Sequence, residues 1–272
     1  MRVFCELLGN SLDIQRRPER IISLASGLTE TVAELGAMQR LIGVSPYCHR
    51  YVHGLVAPVV GDYLVADTEV LRALKPDLIL LTGGIQMKLA KHLADADLPA
   101  YALPLPSSRF GILENIITVG ALIGELLIAR SLADRLNARA ASLQARAPAT
   151  RPRVYVELWF GRHVRMVGGR CFVHDLIELA GGDNIFAANP DGYLPLDPAA
   201  VTAAQPHYAV FFSEPEYPVS AASLLAERGW NGLFSKGILE CGVQKGRNLI
   251  HDGPSYFDTA TWLFSQLHNT VN

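Results

Sequence analysis

The chain has 272 residues, 50% of them hydrophobic and 18% charged, enough apolar material for one or two cores that fold without disulfide or metal staples. A net charge of -2, a pI near 6.4 and no basic run beyond Arg16-Arg17 exclude an electrostatic footprint for nucleic acid or an anionic membrane surface. Disordered and fibrous classes are excluded as well.

The first ten residues, Met1 to Asn10, hold no apolar core of leader length because Glu6 interrupts it, so the expectation is a chain without an export leader, with residues 1–16 as an N-terminal extension. From there the first half alternates. Ile21 to Leu24, Leu41 to Val44, Leu78 to Leu81 and Ala100 to Leu103 read as buried strands, each stopped by Gly, Ser or Pro. Helical patterns fall near Thr29 to Leu35, Thr68 to Leu74 and Gln86 to Ala96, which makes residues 17–108 an α/β lobe with a parallel sheet.

Ile116 to Ala129 is apolar but contains Glu125 and is about 14 residues long, where a membrane span needs about 20. With its flanks it gives apolar positions at Ile112, Ile116, Val119, Ile123, Leu126, Leu132 and Leu136 among strong helix formers. That spacing predicts one long helix from Phe110 to about Arg146, within residues 109–147; roughly 35 residues reach about 50 Å, the length of a connector between lobes. Residues 148–272 read as a second α/β lobe, with strands at Val154 to Leu158 and Tyr208 to Phe212 and helices at His174 to Ala180, Ala199 to Ala204, Ser220 to Arg228 and Ser255 to Leu267.

Ligands collect where parallel strands end. Ser26, Gly27 and Thr29 follow the first strand, where free amides and small side chains approach a polar ligand edge; capping of the helix is the weightier use of Ser26. Tyr47, Cys48 and His49 follow the second strand, and Trp159 follows Val154 to Leu158. Cys48, His49, His53, Glu157, His163, Cys171 and His174 include donors suited to a transition metal, with Cys48 and His49 the best placed, but none has a diagnostic spacing. The four cysteines, Cys5, Cys48, Cys171 and Cys241, form no Cys-x-x-Cys, and their disulfide state stays open. Nucleophile elbow, phosphate loop, dinucleotide fingerprint and zinc-protease motifs are all missing. Gly83-Gly84, Gly168-Gly169 and Gly181-Gly182 read as turns, and Asp175 with Glu178 as a solvated helix face.

The halves share a phrase. Thr68 to Leu80 and Pro198 to Val210 each place a helix, then Pro, then a strand, with Glu69 and Ala199 seven residues before the Pro. Together with Arg17-Pro-Glu-Arg-Ile-Ile-Ser-Leu-Ala-Ser-Gly-Leu-Thr-Glu30, Gly43-Val-Ser-Pro-Tyr-Cys48 and Leu179-Ala-Gly-Gly-Asp-Asn-Ile-Phe186, the chain from about residue 17 to 268 resembles the periplasmic binding proteins for vitamin B12 and iron siderophores.

The resemblance implies two α/β lobes joined by one long backbone helix, with a ligand cleft between them, in a monomeric receptor that hands cobalamin or an iron chelate to an ABC-type permease without a catalytic cofactor. Tyr47 matches a Tyr that contacts the corrin in the family's B12 receptor, Tyr63 stands where that protein has Trp, and Tyr193 matches an aromatic position; with Trp159 they make an aromatic wall. Glu69 matches a permease-docking Glu on one lobe, whereas Ala199 replaces the second. Where the family often carries a Pro-x-Arg that reaches the ligand, this chain has Gly253-Pro-Ser-Tyr-Phe-Asp258, with Asp252 and Tyr256 as substitutes. The resemblance implies a periplasmic or cell-surface place, and Met1 as the native start a cytoplasmic one. Two alternatives stay open: a cytosolic corrinoid- or metal-binding relative for storage, sensing or delivery, and an enzyme using Cys48 with a nearby His as nucleophile.

Overall fold

The computed structural model describes residues 1–268. The chain divides into two compact units, one formed by Met1–Pro106 with Phe110–Leu136, the other by Ser107–Arg109 with the chain from Asn137 on.

In the first unit, residues 1–16 are more than an extension. They build an antiparallel hairpin of β1 (Arg2–Cys5) and β2 (Asn10–Asp13). Cys5 is fully buried in the unit's core cluster, and its thiol lies 3.6 Å from the Ala102 carbonyl. Then β3 (Ile21–Ser23), α1 (Ser26–Glu34), β4 (Leu41–Val44), α2 (Thr68–Ala73), β5 (Leu78–Thr82), α3 (Met87–Asp95) and β6 (Ala100–Leu103) alternate as expected. The strands form a parallel sheet in the order β4-β3-β5-β6. Every residue of β3 and β5 is buried, which explains the unbroken apolar run Leu78-Ile-Leu-Leu81: a central strand covered on both faces has no polar side.

The connector is not the single rod that the apolar spacing predicts. It is two helices, α4 (Arg109–Ile123) and α5 (Leu126–Arg146), and the division between units falls inside α5. Gly124 makes the break at φ +79, and a Cβ there would lie 2.7 Å from the Arg16 carbonyl oxygen. The apolar period runs on across Gly124, from Ile123 to Leu126, and so conceals the corner. Arg40 locks it. This side chain is 2% exposed and donates to the Ile123 carbonyl at 2.8 Å, to the Pro18 carbonyl at 3.3 Å and to Glu125 Oε1 at 2.5 Å. A cation thus closes the C-terminal end of α4 and a carboxylate sits at the N-terminal end of α5, each at the pole its charge prefers.

The second unit carries β7 (Arg153–Phe160), β8 (His163–Val167), α6 (Phe172–Leu179), β9 (Asp183–Asn184), β10 (Tyr193–Leu194), α7 (Pro198–Ala203), β11 (Tyr208–Ser213), α8 (Ala221–Arg228), β12 (Gly237–Cys241) and α9 (Tyr256–His268). Its sheet runs β10-β8-β7-β11-β12, with β9 also paired to β7; β8 pairs antiparallel with both β7 and β10, and the other pairings are parallel. Sequence reading missed β8 and β12, which lack a continuous apolar run because one or both faces are partly open.

The shared phrase is a structural repeat. Asp67 caps α2 and Asp197 caps α7 through their carboxylates. After each helix the residue before Pro is left-handed, Lys75 at φ 46 and Gln205 at φ 48, so the chain turns there and not through an extended pre-proline residue. Arg20 then donates from Nη2 to Leu74 O at 2.6 Å, and Arg153 donates from Nη2 to Ala204 O at the same distance. Each Arg precedes or opens the first central strand of its unit, so the same cap is made twice. One partner differs: the Arg20 amide donates to Asp77, the Arg153 amide to His207 Nδ1.

Arg40→Met removes the pin at the α4–α5 corner and leaves the Glu125 carboxylate without its buried partner; urea denaturation is expected to show a loss of about 3 kcal/mol.

Candidate functional site

At the C-terminal edge of the first unit's sheet, the turns after β3 and β4 bring three of the expected residues together. The N-cap of α1 is Ala25, without a side-chain cap, so Ser26 does not serve as the cap. Its hydroxyl lies 3.3 Å from the Tyr63 hydroxyl, and its amide donates to the same oxygen at 3.4 Å. The Tyr63 ring packs against Tyr47 with centroids 5.3 Å apart, and the Arg50 guanidinium lies 5.2 Å from the Tyr47 centroid. Loops on the same edge of the sheet expose large apolar side chains: Leu64 and Val65, which follow Tyr63 in sequence, Ile85 after β5 at 67%, and Leu105 after β6.

Other expected residues in this unit face inward. Thr29 and Cys48 are both fully buried. The Cys48 thiol lies 2.9 Å from Thr29 Oγ1 and 3.2 Å from Ser45 Oγ, and Thr29 Oγ1 lies 2.8 Å from Ser23 Oγ. This cage corrects the reading of Thr29 and Cys48 as ligand contacts: their polar atoms are satisfied inside the unit. Burial pushes the Cys48 thiol up, with the hydroxyls of Ser45 and Thr29 opposing it only in part. A buried, protonated thiol is no nucleophile, and the reading of Cys48 as a catalytic group loses its chemistry. Gly27 is buried in α1, His49 is exposed, and Glu69 is exposed in the first turn of α2, with Arg72 at 3.7 Å.

In the second unit the expected aromatics part. Tyr193 pairs with Val167 of β8 and meets Phe160 edge-on at 6.1 Å. Trp159 points to the opposite face, because side chains alternate along β7. There its indole donates to Glu157 Oε1 at 2.8 Å and packs against the core cluster around Tyr155. Glu157 is fully buried; it accepts from the Tyr155 hydroxyl and pairs with Arg228 at 2.6 Å. Trp159 is therefore anchored to a buried ion pair and does not share a wall with Tyr193. Burial, then the charges of Cys171 and Asp252, push the Tyr193 phenol up. Tyr256 is a core residue: fully buried, it donates to the Phe172 carbonyl at 3.0 Å, which corrects its assignment as a ligand contact. Asp252 is partly exposed near Tyr193.

Among the described residues no three His, Cys, Asp or Glu side chains converge to hold a metal ion, and Cys48 and His49 diverge, one buried and one exposed. The four cysteines are free thiols. Gly168 and Gly169 are not a turn; a Cβ on either would lie 2.0 and 2.1 Å from the Asp191 and Ala187 carbonyl oxygens, so glycine lets two backbones touch. Sequence reading missed Phe160, Tyr217, Ile85 and Leu105. The available signal was the position of each just after an apolar strand.

Comparison with known proteins matches the chain from residue 21 to residue 234 to a family model described as a periplasmic binding protein. The chain belongs to this family. A cobalamin-binding protein of Halobacterium salinarum is 28% identical over 182 residues, covering 65% of this chain and 48% of that protein, so the chain spans about half the length of the curated relatives it matches. Among solved structures, the periplasmic haem-binding protein HutB of Vibrio cholerae aligns at 21% identity with a TM-score of 0.79, covering 92% of this chain and 98% of that one. The periplasmic vitamin B12-binding protein BtuF of Vibrio cholerae aligns at 22% identity with a TM-score of 0.72 over 93% and 97%. These likenesses establish the fold, and members of the family are binding proteins. No helix among the described residues is long and apolar enough to cross a membrane.

Iodoacetamide at pH 8 is expected to label Cys48 at least about 100-fold slower in the native protein than in urea, read by mass spectrometry. Glu157→Ala strands Arg228 and the Tyr155 hydroxyl; it is expected to cost about 3–5 kcal/mol in urea denaturation and to move Trp159 emission to longer wavelength.

Proposed function

We propose that the chain is a solute-binding protein that captures cobalamin or a related planar metal chelate and delivers it to an ABC-type permease, without transforming it. The observation that carries this reading is the C-terminal edge of the first unit's sheet, where Tyr47 and Tyr63 pack together and where the loops of the same edge expose Leu64, Val65, Ile85 and Leu105. A broad apolar and aromatic rim with few charges suits a large flat guest whose faces are apolar and whose rim is polar. Ser26, Gly27, His49, Tyr47 and Tyr63 on this edge, and Tyr193 and Asp252 in the second unit, are the contacts proposed. The cobalamin-binding relative supports placing a corrinoid first.

A haem is the second reading. The Tyr63 oxygen sits at the N-terminal end of α1 and accepts from the Ser26 amide, a place where negative charge is favoured, and a phenol oxygen there suits a ferric centre. Exposed Glu69 supports permease docking through the first unit; Ala199, exposed in the first turn of α7, offers no matching charge. A place outside the cytoplasmic membrane, as a monomer, completes the proposal.

Purified protein is titrated with cyanocobalamin, hemin and a ferric siderophore, and visible absorbance is followed. At least one saturable, stoichiometric change is expected, cyanocobalamin foremost, with ligand recovered intact and Tyr63→Ala weakening it at least about tenfold. Saturation with none of the three overturns the proposal.

A further inference from the structure

At the C-terminal edge of the second unit's sheet, one aromatic ring stands out from the core. Tyr217 follows β11 in the segment Glu214-Pro-Glu-Tyr-Pro218 and is 47% exposed. Its ring lies against the turn between β7 and β8: Cδ2 and Cε2 are 3.6 Å from where a Cβ on Gly161 would be, which is ordinary van der Waals contact with the ring. The turn is held by the same segment. Glu214 Oε2 accepts from the Gly161 amide at 2.8 Å, and the Tyr217 amide donates to the Glu214 carbonyl at 3.0 Å. Pro215 and Pro218 flank the ring and limit what the segment can do in the free chain.

An exposed aromatic ring braced by glycine and fixed by a charge-assisted bond loses little entropy when something is laid on it. We propose that Tyr217 is a stacking platform for the conjugated macrocycle of a tetrapyrrole, and that Glu214 is its positioning residue. This rests on the planar-chelate reading above. The ring, not the hydroxyl, is the working part, so the occupant is recognised by its π face. Glu214 acts through the Gly161 amide and touches no ligand.

The test measures dissociation constants for hemin and cyanocobalamin with wild type, Tyr217→Ala, Tyr217→Phe, Glu214→Ala and Glu214→Gln. Tyr217→Ala is expected to weaken the bound chelate about tenfold, and Tyr217→Phe to match wild type. Glu214→Ala is expected to weaken it by a smaller factor, and Glu214→Gln to restore it, because the amide oxygen accepts the same N–H. If wild type binds neither probe, the platform is overturned, and the binding-protein reading falls with it only when the ferric siderophore also fails to saturate. If wild type binds and Tyr217→Ala stays within twofold, or Tyr217→Phe loses as much as Tyr217→Ala, the platform alone is overturned. Should Glu214→Ala not fold, the two Tyr217 variants still decide it.

Discussion

A parallel sheet must be covered on both faces, and that requirement organises everything else in this chain. Strands that run the same way are joined by helices crossing over a face, so β3 and β5 are buried along their whole length and carry no polar side. With the faces closed, open backbone and variable side chains collect at the strand ends. The C-terminal edges then hold the residues with freedom to differ: Ser26, Tyr47, Tyr63, Ile85 and Leu105 in one unit, Phe160, Tyr193 and Tyr217 in the other.

The same packing decides which reactive-looking residues have a task inside the fold. Cys48 is ringed by Thr29 and Ser45, Glu157 by Tyr155, Trp159 and Arg228, and Arg40 by Ile123, Pro18 and Glu125. A buried polar group without partners is costly, so in the interior each of these finds several. Their chemistry is consumed in fixing the fold. What stays available is an edge of aromatic and aliphatic side chains.

The two units use one device with different residues. An Arg beside the first central strand caps the helix that leads into the next, Arg20 on Leu74 and Arg153 on Ala204, after a left-handed residue and a proline. The device is shared by the units where it closes a helix end; it differs in the acceptor of the Arg amide, Asp77 against His207, and at the exposed positions Glu69 and Ala199. The cap answers to backbone geometry that both units share; the exposed positions answer to whatever each surface meets.

From the order of residues alone came the alternation of strand and helix, the two α/β halves, the internal repeat and the family resemblance, because burial on both faces writes continuous apolar runs and Pro marks where helices stop. Ser26 and Tyr47 were picked out as residues just past strand ends, and Tyr63 by the family resemblance. Tertiary structure alone decided the corner at Gly124, the inward turn of Cys48, Thr29 and Tyr256, and the separation of Trp159 from Tyr193. Periodicity reports which residues share a stripe, but it is silent on a single left-handed glycine that keeps the stripe in phase. Nor can position along a chain say toward which face of a sheet a ring points or which partners reach it, since those depend on segments more than fifty residues away, as Arg228 is from Glu157.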